Sequence, residues 1–178
     1  YKRAMLWLSK DKEERDFSFG DMKRLSNKAA NYFKAKGIKK GDRVMLVLQR
    51  HYQFWIAILA LHKLGAIVIP ATHLLVKHDF EYRFQAAGVK AIVATSENDV
   101  PHQVDMAQET SPTLQIKMVV GENRDGWDNF DAEMEKYSDV FERPRGDEDV
   151  TNDDLMLMYF TSGTTGYPKI AAHNFLYP

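Results

Sequence analysis

Tyr159-Phe160-Thr161-Ser162-Gly163-Thr164-Thr165-Gly166-Tyr167-Pro168-Lys169 is the stretch that decides how this chain is read. It follows an apolar run, Leu155 to Phe160, of the kind that forms a buried strand in a parallel sheet. A Ser/Thr/Gly loop comes next, then Pro168, Lys169 and a segment expected to be helical. Two glycines allow a tight turn and let amide N–H groups approach an anion closely. Thr161, Ser162, Thr164 and Thr165 supply hydroxyls, and Lys169 supplies a fixed positive charge. That combination suits a polyphosphate with its metal ion.

The dull alternative is a polar turn between two elements, and a lone Gly-x-x-Gly would be weak evidence against it. Six positions are defined here: Gly163, Thr164, Thr165, Gly166, Pro168 and Lys169. At ordinary residue usage, chance matching is on the order of 10⁻⁷ to 10⁻⁸ per starting position. The preceding strand strengthens the reading. The loop is not a Walker loop, because proline, not glycine, precedes the lysine. No Gly-x-Gly-x-x-Gly occurs in the chain, which excludes the Rossmann fingerprint.

Working outward, strand-like and helix-like segments alternate. Ala4 to Leu8 and Asp16 to Phe19 flank a charged turn, which predicts an opening hairpin. Ser18 reads as an N-cap, with Asp21 three residues on and Phe17 placed to pack against Met22. Met22, Leu25, Ala29 and Phe33 follow at helical spacing, and Gly37 ends that helix. Strands are expected at Val44 to Leu48, Ala66 to Ile69, Ala91 to Ala94, Ile116 to Val120 and Leu155 to Phe160. Helices are expected at Tyr52 to Leu64, along the face Val76, Phe80, Phe84 and Ala87, from Pro101 to Glu109, and around Phe130, Met134 and Tyr137. Ser138 to Asp154 reads as an exposed connection. The order predicts an α/β fold with a doubly wound, mostly parallel sheet and flanking helices. The loop then falls at the C-terminal edge of the strands, where open α/β sheets bind ligands.

The segment Thr161 to Lys169 resembles the phosphate-holding signature of the adenylate-forming superfamily: acyl-CoA synthetases, peptide-synthetase adenylation domains and luciferases. The resemblance runs over nearly the whole chain. Gly41-Asp42-Arg43-Val44 and Leu64-Gly65-Ala66-Ile67-Val68-Ile69-Pro70 look like two earlier family blocks. Tyr82-Arg83-Phe84-Gln85-Ala86-Ala87 and Pro168-Lys169-Ile170-Ala171-Ala172-His173 look like the medium-chain acyl-CoA synthetase branch. The resemblance implies that residues 1–178 are part of a large N-terminal AMP-binding domain, the remainder and a small C-terminal domain lying outside this sequence. It implies a two-step ligation in which a carboxylic acid displaces pyrophosphate from ATP and coenzyme A then displaces AMP. ATP and coenzyme A are thus implied as substrates and Mg²⁺ as cofactor. Thr161, Ser162, Gly163, Thr164, Thr165, Gly166, Tyr167, Pro168 and Lys169 are implied to hold the nucleotide, with Lys169 and Thr164 catalytic and Thr165 nearest the metal. The implied compartment is the cytoplasm, or the mitochondrial matrix in a eukaryote. Because later family motifs are missing, the 178-residue piece alone is expected to be inactive.

Three rivals remain at this level: an adenylation domain for an amino or aryl acid, a non-catalytic nucleotide-binding module, and a structural α/β domain with a Gly/Thr turn. Composition narrows the field. The chain has 178 residues, 44% hydrophobic, enough for one domain with a real core. A net charge of −1, from 24 basic and 25 acidic residues, argues against nucleic-acid or acidic-membrane partners. There is no cysteine, so disulfides and thiolate metal sites are excluded. The apolar run Phe54 to Leu61 is too short to span a bilayer. His51, His62, His73, His78 and His102 lack metal-site spacing and read as structural or surface groups. His173, four residues after Lys169, would share its side of a helix, though a partly buried histidine bonded to backbone is the commoner case. Phe54 and Trp55 read as core, Trp127 as a loop anchor, Tyr167 as an exposed loop residue, and the acidic run Asp147 to Asp154 as a solvated stretch.

Overall fold

The structure, a computed structural model, describes residues 2–162 and 166–177. The chain opens with an antiparallel hairpin, β1 (Arg3–Leu8) and β2 (Glu14–Ser18), as the charged turn predicted. Helix α1 (Phe19–Ala35) starts on a capping box: Ser18 Oγ accepts from Asp21 N at 3.0 Å, and Asp21 Oδ2 accepts from Ser18 N at 3.0 Å. Alternating units follow: β3 (Arg43–Val47), α2 (Gln53–Lys63), β4 (Ile67–Pro70), α3 (Lys77–Ala87), β5 (Ala91–Thr95), α4 (Val100–Gln108) and β6 (Ile116–Val120). A two-residue strand β7 (Asp128–Asn129), which hydropathy could not reveal, precedes α5 (Phe130–Met134). A single 3-10 turn, Gly146–Glu148, interrupts the polar connection before β8 (Leu155–Thr161) and β9 (Lys169–Asn174).

Seven of these strands make one sheet in the order β7-β6-β5-β3-β4-β8-β9. Every neighbouring pair is parallel except the last, where β9 runs antiparallel to β8. This is the doubly wound, mostly parallel α/β sheet that the sequence predicts. Its two faces carry separate cores, because side chains alternate along a strand. On β3, Val44 and Leu46 enter one core, whereas Met45 and Val47 enter the other. The first core holds Leu25, Ala29 and Phe33 of α1, Ile56 and Leu61 of α2, and Phe130 of α5. The second holds Phe80 and Phe84 of α3 with Val100 and Val104 of α4. Each large apolar side chain buried this way contributes about 1.5–3 kcal/mol.

Two expectations about packing are corrected. Trp55 is 52% exposed, and Leu59 on the same side of α2 is also exposed, so α2 is buried along one face only. Val76 precedes α3 as its N-cap and is exposed. The anchor role of Trp127 holds: the ring is buried, and its Nε1–H donates to Asp105 Oδ1 at 2.9 Å.

The segment Gly41 to Val44 has a mechanical role. Arg43 leaves β3 and donates from Nε to Ala87 O at 2.9 Å, from Nη2 to Gly88 O at 2.9 Å, and from Nη1 to Gly41 O at 3.0 Å. It thereby caps the carbonyl end of α3, where the helix dipole favours a cation. Gly88 closes that helix in the left-handed region (φ 58°), and a Cβ there would lie 2.7 Å from Arg43 Nη2. Asp42 Oδ2 accepts from Lys39 N at 2.8 Å and from Lys90 Nζ at 2.7 Å, which joins the entries of β3 and β5.

On the other face, a recess of about 570 Å³ opens between α1, α2 and the connection leading to β8. Lys23, Lys63 and Arg143 line it together with Leu59, Phe141 and Phe175. Lys63 Nζ donates to Ser26 Oγ and to Asn27 Oδ1, both at 2.6 Å. Burial, with repulsion from the Lys23 ammonium, pushes the Lys63 amine down to about 8.

Arg43→Met should lower stability by about 2–4 kcal/mol in urea unfolding, since three charge-assisted hydrogen bonds are lost. Lys63 gives a signed pH effect. Between about pH 8 and 10.5 the unfolded chain keeps a proton that the folded chain has released. Unfolding then takes up a proton, so this group's contribution to stability rises with pH across that window. Lys63→Met should flatten that rise in a pH series of melting curves, whatever its effect on stability at pH 7.

Candidate phosphate-binding loop

Strand β8 pairs with β4 in parallel through Val68 and Leu157, so its C-terminal end lies at the same sheet edge as those of β3, β4 and β5. The loop leaves from that end, as the alternation of elements predicted. Thr161 and Lys169 face each other as the last paired residues of the β8–β9 ladder, and Thr161 Oγ1 donates to Lys169 O at 3.3 Å. Ser162 on one side and Gly166 to Pro168 on the other therefore lie on two limbs that are held together at the base.

The segment after Pro168 is a strand and not the expected helix. The cause is the sheet: β8 would otherwise present a row of unpaired N–H and C=O groups along its outer side, and β9 satisfies them. Helical propensity in Ala171 and Ala172 is overridden by that tertiary demand. The consequence for Lys169 is twofold. No helix dipole acts on it, and His173 lies about 13 Å further along the strand, not one turn away. The His173 ring packs against Tyr177, with centroids 4.0 Å apart, and edge-on against Tyr159 at 5.9 Å.

Of the nine residues the sequence assigns to nucleotide, Gly163, Thr164 and Thr165 lie outside the described residues. The others come together on the two limbs. Thr161, Ser162, Gly166 and Lys169 are exposed, Tyr167 is 72% exposed, and Pro168 is half-buried. Gly166 has φ 108°, with nothing within 4 Å of a would-be Cβ. Its glycine is thus required by backbone conformation and not by crowding. Hydroxyls on one limb and an ammonium on the other both meet solvent, an arrangement able to receive an anion.

The loop's second limb is tied to α3. Tyr82 OH donates to Pro168 O at 2.8 Å, and the Tyr82 and Tyr167 rings stack with centroids 4.9 Å apart and planes at 25°. The Arg83 guanidinium lies over the Phe160 ring, 5.2 Å from its centroid. Tyr82 and Arg83 stand out in the sequence only as family-like residues. Their contact with the loop spans 86 residues and leaves no local signal.

The remaining candidates sit elsewhere. His51, half-buried in the turn between β3 and α2, has Nε2 2.9 Å from Thr95 Oγ1, and burial lowers its pKa. Lys40 reaches the acidic run, pairing with Asp154 at 2.8 Å and donating to Asp149 O at 2.7 Å. Among the described residues no group of three or more His, Cys, Asp or Glu side chains could hold a metal. A loop of hydroxyls fits a metal that arrives already chelated by phosphate oxygens, which needs few protein ligands. The basic recess between α1 and α2 contains none of the loop's residues.

The family model described as "AMP-binding enzyme" matches residues 2–176. The chain is 38% identical over 173 residues to the rat mitochondrial acyl-coenzyme A synthetase ACSM5, covering 96% of this chain and 29% of that protein. It is 35% identical over 173 residues to the human mitochondrial acyl-coenzyme A synthetase ACSM3, covering 96% and 28%. Among solved structures, the anthranilate CoA ligase AuaEII in complex with anthranoyl-AMP superposes with a TM-score of 0.84 at 22% identity, covering 98% of this chain and 32% of that one. An acyl-CoA synthetase from Brucella canis gives 0.82 at 23% identity, covering 98% and 31%. The chain thus spans under a third of the length of these relatives. From the matched model and the loop at the sheet edge together, the chain belongs to the family of AMP-binding, adenylate-forming enzymes.

Proposed function

We propose that the loop from Thr161 to Lys169 holds the triphosphate of ATP in an AMP-forming acyl-CoA synthetase, and that residues 1–178 are part of its large N-terminal domain. The observation that carries this reading is the exposed hydroxyl-and-ammonium loop at the C-terminal end of a parallel strand, in a chain of this family. In the first step a carboxylate oxygen attacks the α-phosphorus, and the bond to pyrophosphate breaks. In the second, the thiol of coenzyme A attacks the acyl carbon, and AMP leaves. Lys169, with the hydroxyls of Thr161 and Ser162, holds the oxygens of the departing pyrophosphate, where negative charge concentrates. Thr164 would support the same charge, and Thr165 would be the residue that holds the metal. Mg²⁺, when bound, neutralises phosphate charge. The loop itself acts by position and field and forms no covalent bond.

The relatives' names, acyl-coenzyme A synthetases of mitochondria, support a carboxylic acid passed to coenzyme A as an acyl group, with mitochondria as the compartment; that the acid is a fatty acid is part of the proposal. Among the described residues no helix is long and apolar enough to cross a membrane.

Pyrophosphate–ATP exchange by the full-length protein, run across short-chain, medium-chain, aryl and amino acids, tests the proposal. Exchange should require an aliphatic acid, and thioester should form only when coenzyme A is added. Exchange with an aryl or amino acid alone, or none with any acid, would contradict it. In the same assay Lys169→Ala should slow exchange roughly 10²–10³-fold, the cost of losing one preorganised charge.

A further inference from the structure

We infer that Tyr82 is a positioning residue for the loop, a latch that sets the limb carrying Lys169 before ATP arrives. The inference rests on the proposed role of the loop. Tyr82 sits on α3, a helix fixed to the second core by Phe80 and Phe84, both fully buried, and capped at its carbonyl end by Arg43. From that rigid support Tyr82 makes two different contacts with the loop. Its hydroxyl donates to the carbonyl of Pro168, the residue directly before Lys169. Its ring stacks on Tyr167, which is otherwise mostly exposed. Phe160, at the end of β8, is held next to the same helix: the Tyr82 ring meets it edge-on at 6.2 Å, and the Arg83 guanidinium covers it. Both limbs of the loop are therefore referenced to one helix, although 86 residues separate Tyr82 from Pro168.

The consequence concerns entropy. A loop that must be ordered by its ligand charges that ordering to the ligand's affinity, and a loop ordered beforehand does not. The latch lies away from the reacting atoms, so its contribution is the same in ground state and transition state. Such an interaction appears in the KM for ATP and leaves kcat nearly unchanged. The carboxylic acid does not touch this limb in the proposed reading, so its KM should not follow.

Tyr82→Phe in the full-length protein tests this, because it removes the hydroxyl and keeps the ring stack. The KM for ATP should rise about 3–10-fold, the equivalent of one hydrogen bond. The kcat and the KM for the acid should stay within about twofold. Hydrogen–deuterium exchange of the peptide over residues 166–170 should quicken without ATP, and the difference should shrink when ATP saturates. An unchanged KM for ATP overturns the latch, and so does a parallel rise in both KM values, which would mean general loosening. A wild-type protein without exchange activity contradicts the function itself and removes the latch's meaning with it. An active wild type with an unaltered Tyr82→Phe variant contradicts the latch alone.

Discussion

Two-sided burial of β3, β4 and β5 is the constraint on which the rest of the molecule depends. Val44, Met45, Leu46, Val47, Val68, Ile69, Ile92 and Val93 are all within 1% of complete burial, with successive residues going to opposite cores. Strands so enclosed have no free face on which to carry chemistry, and their backbone groups are consumed by the ladder. Polar and catalytic groups are displaced to the loops, and parallel pairing gathers the C-terminal loops at one edge. The Thr161 to Lys169 loop is placed by this logic before any property of its own is considered.

The antiparallel return of β9 adds a second constraint. By pairing Thr161 with Lys169, it closes the base of the loop and puts hydroxyl and ammonium on opposing limbs. A helix after Pro168 would have directed Lys169 along a helix axis and used the dipole of its first turn. A strand leaves Lys169 to act as a plain charge, positioned by the ladder below and by α3 at the side. The family-like segments read as parts of one support. Arg43 fixes the end of α3, α3 fixes the loop through Tyr82, and Gly88 permits the close approach of helix end and guanidinium.

Much of this was legible because it is local. The capping box at Ser18 and Asp21, the stop at Gly37, the five parallel strands and the loop at the strand end follow from residue type and period within short windows. What was not legible depends on distant partners. The strand at Lys169–Asn174 exists because β8 needs an outer neighbour, which no window around Ala171 records. Trp55 has the hydropathy of a core residue, but α2 turns it outward. The two residues of β7 are too few to carry a period. Tyr82 was conspicuous as a family-like residue, yet its partner across the fold was invisible until α3 and the loop stood side by side.

In the proposed function the loop between β8 and β9 grips the phosphates of ATP. A crystal structure of the full-length protein with a non-hydrolysable ATP analogue tests it most directly. The β- and γ-phosphate oxygens should lie within about 3 Å of Lys169 Nζ and of the Thr161 or Ser162 hydroxyl, hydrogen-bond distance for charged partners. Phosphates bound at another site, with Lys169 pointing to open solvent, would contradict it.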